Sequence, residues 1–389
     1  MFKLNDSFTL EIVVTQSNSN VDITGAVNYH YGKFPPKITY DAFIKQLLNS
    51  ERAIARYDQM LKNMHNSEIL LAPLRNQEAV ISSRMEGTIS TMDEILQYQA
   101  DFDSDELGNA ETRSEVVETV LYERALKNAQ TGMESGQPLS KFLIRAAHGQ
   151  LLSYGRGASK SPGQFKTEQN YLAGSRGKIL FVPISPEKLD EGLDTLFNYI
   201  DESDDPDLIK AAVTHVEFES LHPFKDGNGR IGRMLITLMM WKANLISQPH
   251  YYISGYFEEH KDEYIDAMRR VSEEDDWSGW CSFFLKAVEE QANSNLRIVE
   301  RISGLYDEMK ESFAEALSSK SSGAVLDFVF TYPVFKANKF VNSEKIPSAS
   351  APRFLKLLVE NKLIVMIEEG SGRRPARYRF EPLMELLRV

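Results

Sequence analysis

The run Leu221-His222-Pro223-Phe224-Lys225-Asp226-Gly227-Asn228-Gly229-Arg230-Ile231-Gly232-Arg233 leaves this chain few ways to fold around it. Upstream, Asp207 to Leu221 has apolar residues at helical spacing and stops at Pro223, which cannot continue the hydrogen-bond ladder. Gly227 and Gly229 then allow a turn whose N–H groups point inward as an anion-binding nest. The apolar run from Ile231 to Leu245 reads as a second helix, whose N-terminus brings free N–H groups and a positive dipole to the same point. Arg230 and Arg233, three apart, lie near one face of it and can fork onto further phosphate oxygens. Asp226 is a hard carboxylate at the edge of the nest, suited to a magnesium ion bridging phosphates. His222 precedes the loop and can take a proton from an incoming hydroxyl near neutral pH. Base, metal ligand, nest and arginine pair in one short stretch describe transfer of a nucleotide or phosphoryl group.

The stretch resembles the Fic family signature, His-Pro-Phe-x-(Asp/Glu)-Gly-Asn-Gly-Arg-x-x-Arg, with every fixed position filled. The resemblance implies a mostly α fold, a helical Fic-type core with a β-hairpin flap. It implies a protein adenylyltransferase that uses ATP as substrate and Mg2+ as cofactor. His222 would deprotonate a Ser, Thr or Tyr hydroxyl of a target protein, the hydroxyl would attack the α-phosphorus, and pyrophosphate would leave. Asp226 would hold magnesium, while Asn228 and the amides of Gly227 and Gly229 would hold the α- and β-phosphates. Arg230 and Arg233 would hold the outer phosphates, and Ile231 and Gly232 belong to the same ATP-binding stretch. Other Fic-type nucleotidyl or phosphoryl transfer, or removal of AMP, stays open.

At 389 residues the chain exceeds one typical domain. A net charge of −12 argues against nucleic-acid or anionic-membrane binding by the chain as a whole. The single cysteine, Cys281, cannot form an internal disulfide and reads as helix core in Trp280-Cys281-Ser282-Phe283-Phe284. The N-terminus lacks a basic start and an apolar segment behind it, and no apolar run of ~18 residues follows. The expectation is a cytoplasmic protein with no membrane partner.

Residues 1–36 form an N-terminal extension without helical period, in which Thr9 to Val14 suits a strand; they suggest no function. Residues 37–110 read as an N-terminal helical region. Within it, the helix at about 75–87 carries Ser82 and Glu86 four apart on one face, with Gly87 just past its end. Thr91 and Glu94 make a capping-box pair for the next helix. Beside the Fic signature, this segment resembles the family's inhibitory helix, (Ser/Thr)-x-x-x-Glu-(Gly/Asn). That resemblance implies that Glu86 pairs with Arg233 and occupies a donor the ATP γ-phosphate needs. Residues 97–114 are acidic and read as a loop.

The expected core spans 111–291. His148 sits in a helix at 139–153 as a core or capping residue. Thr167 to Ala173 and Lys178 to Val182 flank Gly174-Ser175-Arg176-Gly177 as a hairpin. In Fic proteins such a flap docks the target by strand pairing, which falls here on Leu180, Phe181 and Val182. His215 is two turns, about 10.5 Å, from His222 and reads as packing rather than a metal partner. Tyr264 is the expected adenine-contacting tyrosine. Ser272 departs from the Asn or Arg that the family pattern often shows there, which leaves the ribose contact open.

Residues 292–319 read as an amphipathic connector helix, and 320–389 as a small domain of three helices and a β-hairpin resembling a winged helix. That segment holds 12 Lys and Arg against 7 Asp and Glu, so it is locally basic on an acidic chain. Arg353, Lys356, Arg373, Arg374, Arg377 and Arg379 are its expected footprint for DNA phosphates. A protein-docking module is the alternative, as fold alone does not establish function. A homodimer is a further expectation.

Overall fold

The computed structural model describes residues 11–14, 21–63, 67–102, 113–174, 176–372 and 374–388, with side chains for all of these except 11–14 and 67–73. Arg373, residues 103–112 of the acidic stretch, and residues 1–10 and 15–20 of the extension lie outside the described residues.

The extension supplies two short strands, β1 (Glu11–Val14) and β2 (Val27–Asn28). Five helices follow: α1 (Ile44–Asn63), α2 (Ser67–Met85), α3 (Met92–Asp101), α4 (Ser114–Glu134) and α5 (Lys141–Leu151). Gly87 ends α2 in the left-handed conformation, φ 79°. Thr91 caps α3 with the expected reciprocal bonds, its N–H donating to Glu94 Oε2 at 2.9 Å and its Oγ1 accepting from the Glu94 N–H at 3.3 Å. The hairpin is β3 (Asn170–Ala173) and β4 (Ile179–Val182). Pro186 opens α6 (Pro186–Glu202), where its missing N–H costs nothing. Then come α7 (Asp207–Leu221), α8 (Asn228–Lys242), α9 (Ser254–Glu259), α10 (Lys261–Glu274) and α11 (Trp277–Leu317).

The pair α7 and α8 is the centre of the molecule. Every residue of α8 from Asn228 to Met240 is buried, and α7 is buried around its whole circumference from Ala211 to Phe218. Around them α1, α4 to α6, α10 and the first half of α11 close one hydrophobic core. Trp280 of α11 donates its indole N–H to Ala212 O of α7 at 2.7 Å, which satisfies the one polar atom of a wholly buried ring. Cys281 is buried beside it, as expected.

The C-terminal residues form α12 (Ser322–Thr331), β5 (Val334–Lys336), α13 (Ala337–Val341), α14 (Ala351–Glu360), β6 (Val365–Glu368), β7 (Arg377–Arg379) and α15 (Glu381–Leu387). Their sheet runs β5-β7-β6, antiparallel throughout. The order of three helices and a hairpin is as expected, with β5 as an added strand. The expected boundary at 291/292 falls inside α11, which runs unbroken for 41 residues.

This module shares its core with the N-terminal helices. Val80 of α2, Ile95 and Leu96 of α3 and Val117 of α4 pack in one cluster with Phe313, Phe330 and Phe380. Ion pairs tie the same surfaces: Arg377 and Lys336 to Asp101 at 2.6 and 2.9 Å, and Arg379 and Arg388 to Asp93 at 3.3 and 3.0 Å. Two arginines of the expected DNA footprint, Arg377 and Arg379, are therefore turned onto α3 carboxylates. Arg353 and Lys356 face solvent on α14, as does Arg374.

Phe380 is fully buried, with its ring 5.2 Å from Phe330 and 6.1 Å from Phe313. Phe380→Ala is expected to cost about 3–5 kcal/mol, read as a lower denaturant midpoint. Because the core is shared, the loss should appear in the main transition and not in a separate early one.

Candidate active site

Glu219, Ser220 and His222 at the end of α7 and Gly229 and Arg233 of α8 line one side of a cavity of about 560 Å³. His222 closes α7 in the left-handed conformation, φ 45°, which costs a non-glycine residue about 1–2 kcal/mol. The loop that follows is held by side chains. Asn228 accepts from the Phe224 N–H at 2.8 Å and donates to Phe224 O at 2.9 Å. His148 Nδ1 accepts from the Gly163 N–H at 2.8 Å, which leaves Nε2 protonated to donate to Asp226 O at 2.9 Å. Its ring stacks on Phe224 at 3.7 Å. Burial pushes the His148 pKa down to about 4, so the ring stays neutral in this role.

His222 donates from Nδ1 to Glu219 O at 3.2 Å, so its neutral form presents Nε2 as an acceptor. That nitrogen is buried, has no partner, and belongs to a residue on the cavity wall. Burial, with the Lys166 ammonium second, pushes the His222 pKa down to about 3. The ring is thus a neutral base across the physiological range.

Over the α8 N-terminus lies Glu86. A Cβ on Gly229 would overlap its carboxylate, so this glycine is what lets an anion approach the helix end. Glu86 Oε1 accepts from Arg233 Nη2 at 2.9 Å. Arg233 also donates from Nε to Ser82 Oγ at 2.9 Å and from Nη2 to Ser82 O at 2.8 Å. Burial alone would raise the Glu86 pKa, but Arg233, Arg230 and the Arg233 hydrogen bond outweigh it and hold the carboxyl below its ordinary value. The turn bearing Glu86 is pinned from outside by Arg84, which forks onto both Glu258 oxygens at 2.6 Å, and by Lys261 donating to Met85 O at 3.3 Å.

Because the folded pKa of Glu86 is lowered, the stability it contributes is complete above the ordinary carboxylate value of 4.5 and is lost as pH falls through the lower folded value. Melting temperatures of the parent and Glu86→Gln should therefore differ by a constant amount from pH 6 to 8. The gap should shrink only well into the acid range.

Two more groups are poised. Arg230 is almost fully buried, yet its Nε and Nη1 have no partner, and only Nη2 reaches Asp226, at 3.3 Å. Orphaned guanidinium donors beside a helix N-terminus are a vacancy for anionic oxygens. Glu219 lines the cavity with Oε1 unpartnered; burial raises its pKa to about 8, against Arg233 and with Glu86, so it is held protonated at neutral pH.

For a cation, Asp226 is half-buried; its Oδ1 accepts from the Gly227 N–H at 2.5 Å. Among the described residues no group of three His, Cys, Asp or Glu could hold a metal by itself. A lone carboxylate beside an anion cradle fits magnesium, which keeps waters and shares substrate phosphates.

The model of the Fic/DOC family matches residues 138–240, and that of the Fic/DOC family N-terminal region matches residues 44–131. Residues 44–131 and 138–240 belong to the Fic/DOC family. Among curated proteins it is 36% identical over 85 residues to protein adenylyltransferase fic-1 of Caenorhabditis elegans, and 38% identical over 85 residues to that of Caenorhabditis briggsae. Each match covers 21% of this chain and 15% of the relative. It is 29% identical over 94 residues to the probable protein adenylyltransferase aq_aa38 of Aquifex aeolicus, covering 24% of this chain and 27% of that one. The matched stretches are thus well under half the length of these relatives. In fold, it resembles the crystal structure of a Fic family protein from Desulfovibrio desulfuricans, with a TM-score of 0.52 at 18% identity over 89% of this chain and 97% of that one. A Fic domain containing signaling protein from Bacteroides thetaiotaomicron gives a TM-score of 0.51 at 18% identity, over 66% and 97% of the two chains.

Within this Fic fold, the cavity wall carries His222, Gly229, Arg233, Glu86, Leu180 and Phe181 of the expected residues, and Tyr264 as well. Asp226, Gly227, Asn228, Arg230, Ile231, Gly232, Val182 and Ser82 are not on that wall. Four expected features are already engaged within the chain. Asn228 uses its Oδ1 and one Nδ2 hydrogen on the Phe224 backbone, which fixes the loop. The Ile231 amide donates to Gly227 O at 3.1 Å, so it is spent on the helix. The Tyr264 hydroxyl is paired with His215 Nε2 at 2.8 Å, leaving only its ring to line the site; His215 is packing, as expected. Both flap edges are already paired within the chain. The sheet runs β1-β3-β4-β2, with Val27 opposite Phe181, Asn28 opposite Val182, and the Tyr29 N–H on Val182 O at 2.9 Å. The expected docking residues Phe181 and Val182 are occupied by β2.

Residues that sequence reasoning missed anchor this N-terminal strap. Tyr29 donates to Glu217 Oε1 at 2.6 Å; His30 pairs with Glu217 Oε2 and Ser272 Oγ, each at 2.8 Å. Ser272, within α10, is thus committed to His30. The only signal was Glu217 itself, a carboxylate between Val216 and Phe218 in the buried part of α7, which had to find buried donors.

Proposed function

We propose that this chain is a protein adenylyltransferase that moves AMP from ATP to a Ser, Thr or Tyr hydroxyl of a target protein, and that Glu86 restrains it. The observation that carries the reading is the meeting of a neutral, unpartnered His222 Nε2 with Gly229 of the α8 N-terminus and the buried Arg233 around one cavity, with Arg230 buried on the same helix turn. The relatives' names, protein adenylyltransferase, agree with it.

In this reading the target oxygen attacks the α-phosphorus and loses its proton to His222 Nε2. The new bond is the oxygen–phosphorus ester; the bond that breaks joins the α-phosphorus to the pyrophosphate oxygen. The free N–H groups at the α8 N-terminus and Arg230 meet the phosphate oxygens, and Arg233 meets the outer ones once Glu86 is displaced. Asp226 would hold a magnesium ion, which when bound neutralises charge on the leaving pyrophosphate. These fixed donors act where charge develops, the main resource for phosphoryl-type chemistry. Phosphate transfer by the same cradle would require the γ-phosphorus where the α-phosphorus is placed here.

The test uses ATP labelled at either the α- or the γ-phosphate, with the Glu86→Gly protein and a cell lysate. Label from the α position alone should appear on protein. Protein label from the γ position alone would replace this reading with a kinase-like one.

A further inference from the structure

Behind the His222 turn lies a lysine that the chemistry above does not use. Lys166 is 3% exposed and no carboxylate pairs with it among the described residues. Its Nζ donates to Asn170 Oδ1 at 2.7 Å and to Leu221 O, at the C-terminus of α7, at 3.0 Å. Its own amide donates to Pro223 O at 2.8 Å. Asn170 is buried too, and its Nδ2 donates to His222 O at 3.0 Å and Phe224 O at 3.1 Å. Every carbonyl from Leu221 to Phe224 is thereby taken by Lys166 or Asn170.

Burying an unpaired ammonium is costly, and burial pushes this one down to about 7. A leucine here would pack more cheaply, so the lysine answers a local need. That need is visible: α7 ends in a left-handed His222, and its last carbonyls point into the interior with no helix turn to receive them. A cation at a helix C-terminus also suits the dipole. Asn170 is the first residue of β3, so the same bonds fasten the flap to the turn.

We propose that Lys166 and Asn170 are positioning residues for the His222 base: they lock the left-handed turn to β3, so that the proton acceptor and the flap hold one fixed geometry over the cavity. This rests on the adenylyltransferase reading. Neither residue is on the cavity wall, so both act through His222 and not on ATP.

The test compares Glu86→Gly protein with the same protein carrying Lys166→Met, Lys166→Arg or Asn170→Ala. Displacing a reacting group by about 1 Å costs on the order of 10²-fold in rate. Lys166→Met and Asn170→Ala should lower the maximal AMP-transfer rate roughly 10- to 100-fold with the KM for ATP within about twofold. Lys166→Arg, which restores the cation and its donors, should recover most of the loss. Hydrogen exchange should quicken over residues 221–228 and stay unchanged in α1 and α11. Rates within twofold of the parent for Lys166→Met and Asn170→Ala would overturn the proposal. So would equal losses in the Met and Arg variants accompanied by faster exchange throughout. If the parent transfers no AMP, the adenylyltransferase reading fails by itself, and unchanged exchange over 221–228 would then overturn the positioning role.

Discussion

Glu86→Gly is expected to raise the AMP-transfer rate roughly 10- to 100-fold, the equivalent of a charge-assisted hydrogen bond of about 1.5–3 kcal/mol. The carboxylate sits on Gly229 at the α8 N-terminus and takes Arg233 Nη2 at 2.9 Å. It therefore fills the two positions where a triphosphate would put its negative charge. Removing it frees both and lets the α-phosphorus settle in line for attack. Arg233→Ala deletes the donor that carboxylate and phosphate share, so loss of Glu86 cannot restore activity in that background. The two changes should be strongly non-additive, as groups in direct contact are. Self-modification rates of the parent, both single variants and the double variant give the result. A Glu86→Gly protein that is folded but no faster would remove the restraining role and leave Glu86 as a structural cap.

His222→Ala should lower transfer ~10²–10⁴-fold, the usual cost of losing a general base, while ATP binding persists. The base nitrogen is free and neutral because Nδ1 is spent on Glu219 O and burial opposes protonation. The same pKa, about 3, predicts no acid limb attributable to this residue from pH 5.5 to 8 in the free enzyme. Quenched-flow rates across that range, beside ATP-binding titrations of both proteins, check each half of the statement. Transfer by His222→Ala within a few-fold of the parent would assign the base elsewhere.

Much of this site is written in one short stretch. Pro223, Gly227 and Gly229 favour a helix end, a turn and a helix start, which gathers the polar residues around them into one place. The Ser82–Glu86 spacing was equally readable, because four residues along a helix always share a face. The carboxylate's partner was not: it came from the family resemblance, and the Arg233 contact bridges 147 positions of sequence.

Other features were hidden for the same reason. Nothing in the period of 1–36 says that Val27 and Asn28 pair with the flap or that Tyr29 and His30 meet Glu217 across nearly 190 residues. By sequence alone the C-terminal segment is basic, with 12 Lys and Arg against 7 Asp and Glu over 320–389. Composition cannot show that Asp93 and Asp101 of α3 claim Arg377 and Arg379. The expected boundary at 291/292 lies inside one helix because amphipathic pattern continues smoothly from core helix to connector, and no Gly or Pro near that position stops it. The Asn228 bonds to Phe224 were hidden too, because a motif names a residue without saying which way its amide points.

The most direct measurement is the mass of what the protein attaches. Glu86→Gly protein is incubated with ATP and magnesium, and the intact mass of the modified product is taken, beside the Glu86→Gly/His222→Ala double variant. The account predicts an increment equal to one AMP moiety, present in the first and absent in the second. An increment of a single phosphate, or an AMP increment that survives loss of His222, would contradict it.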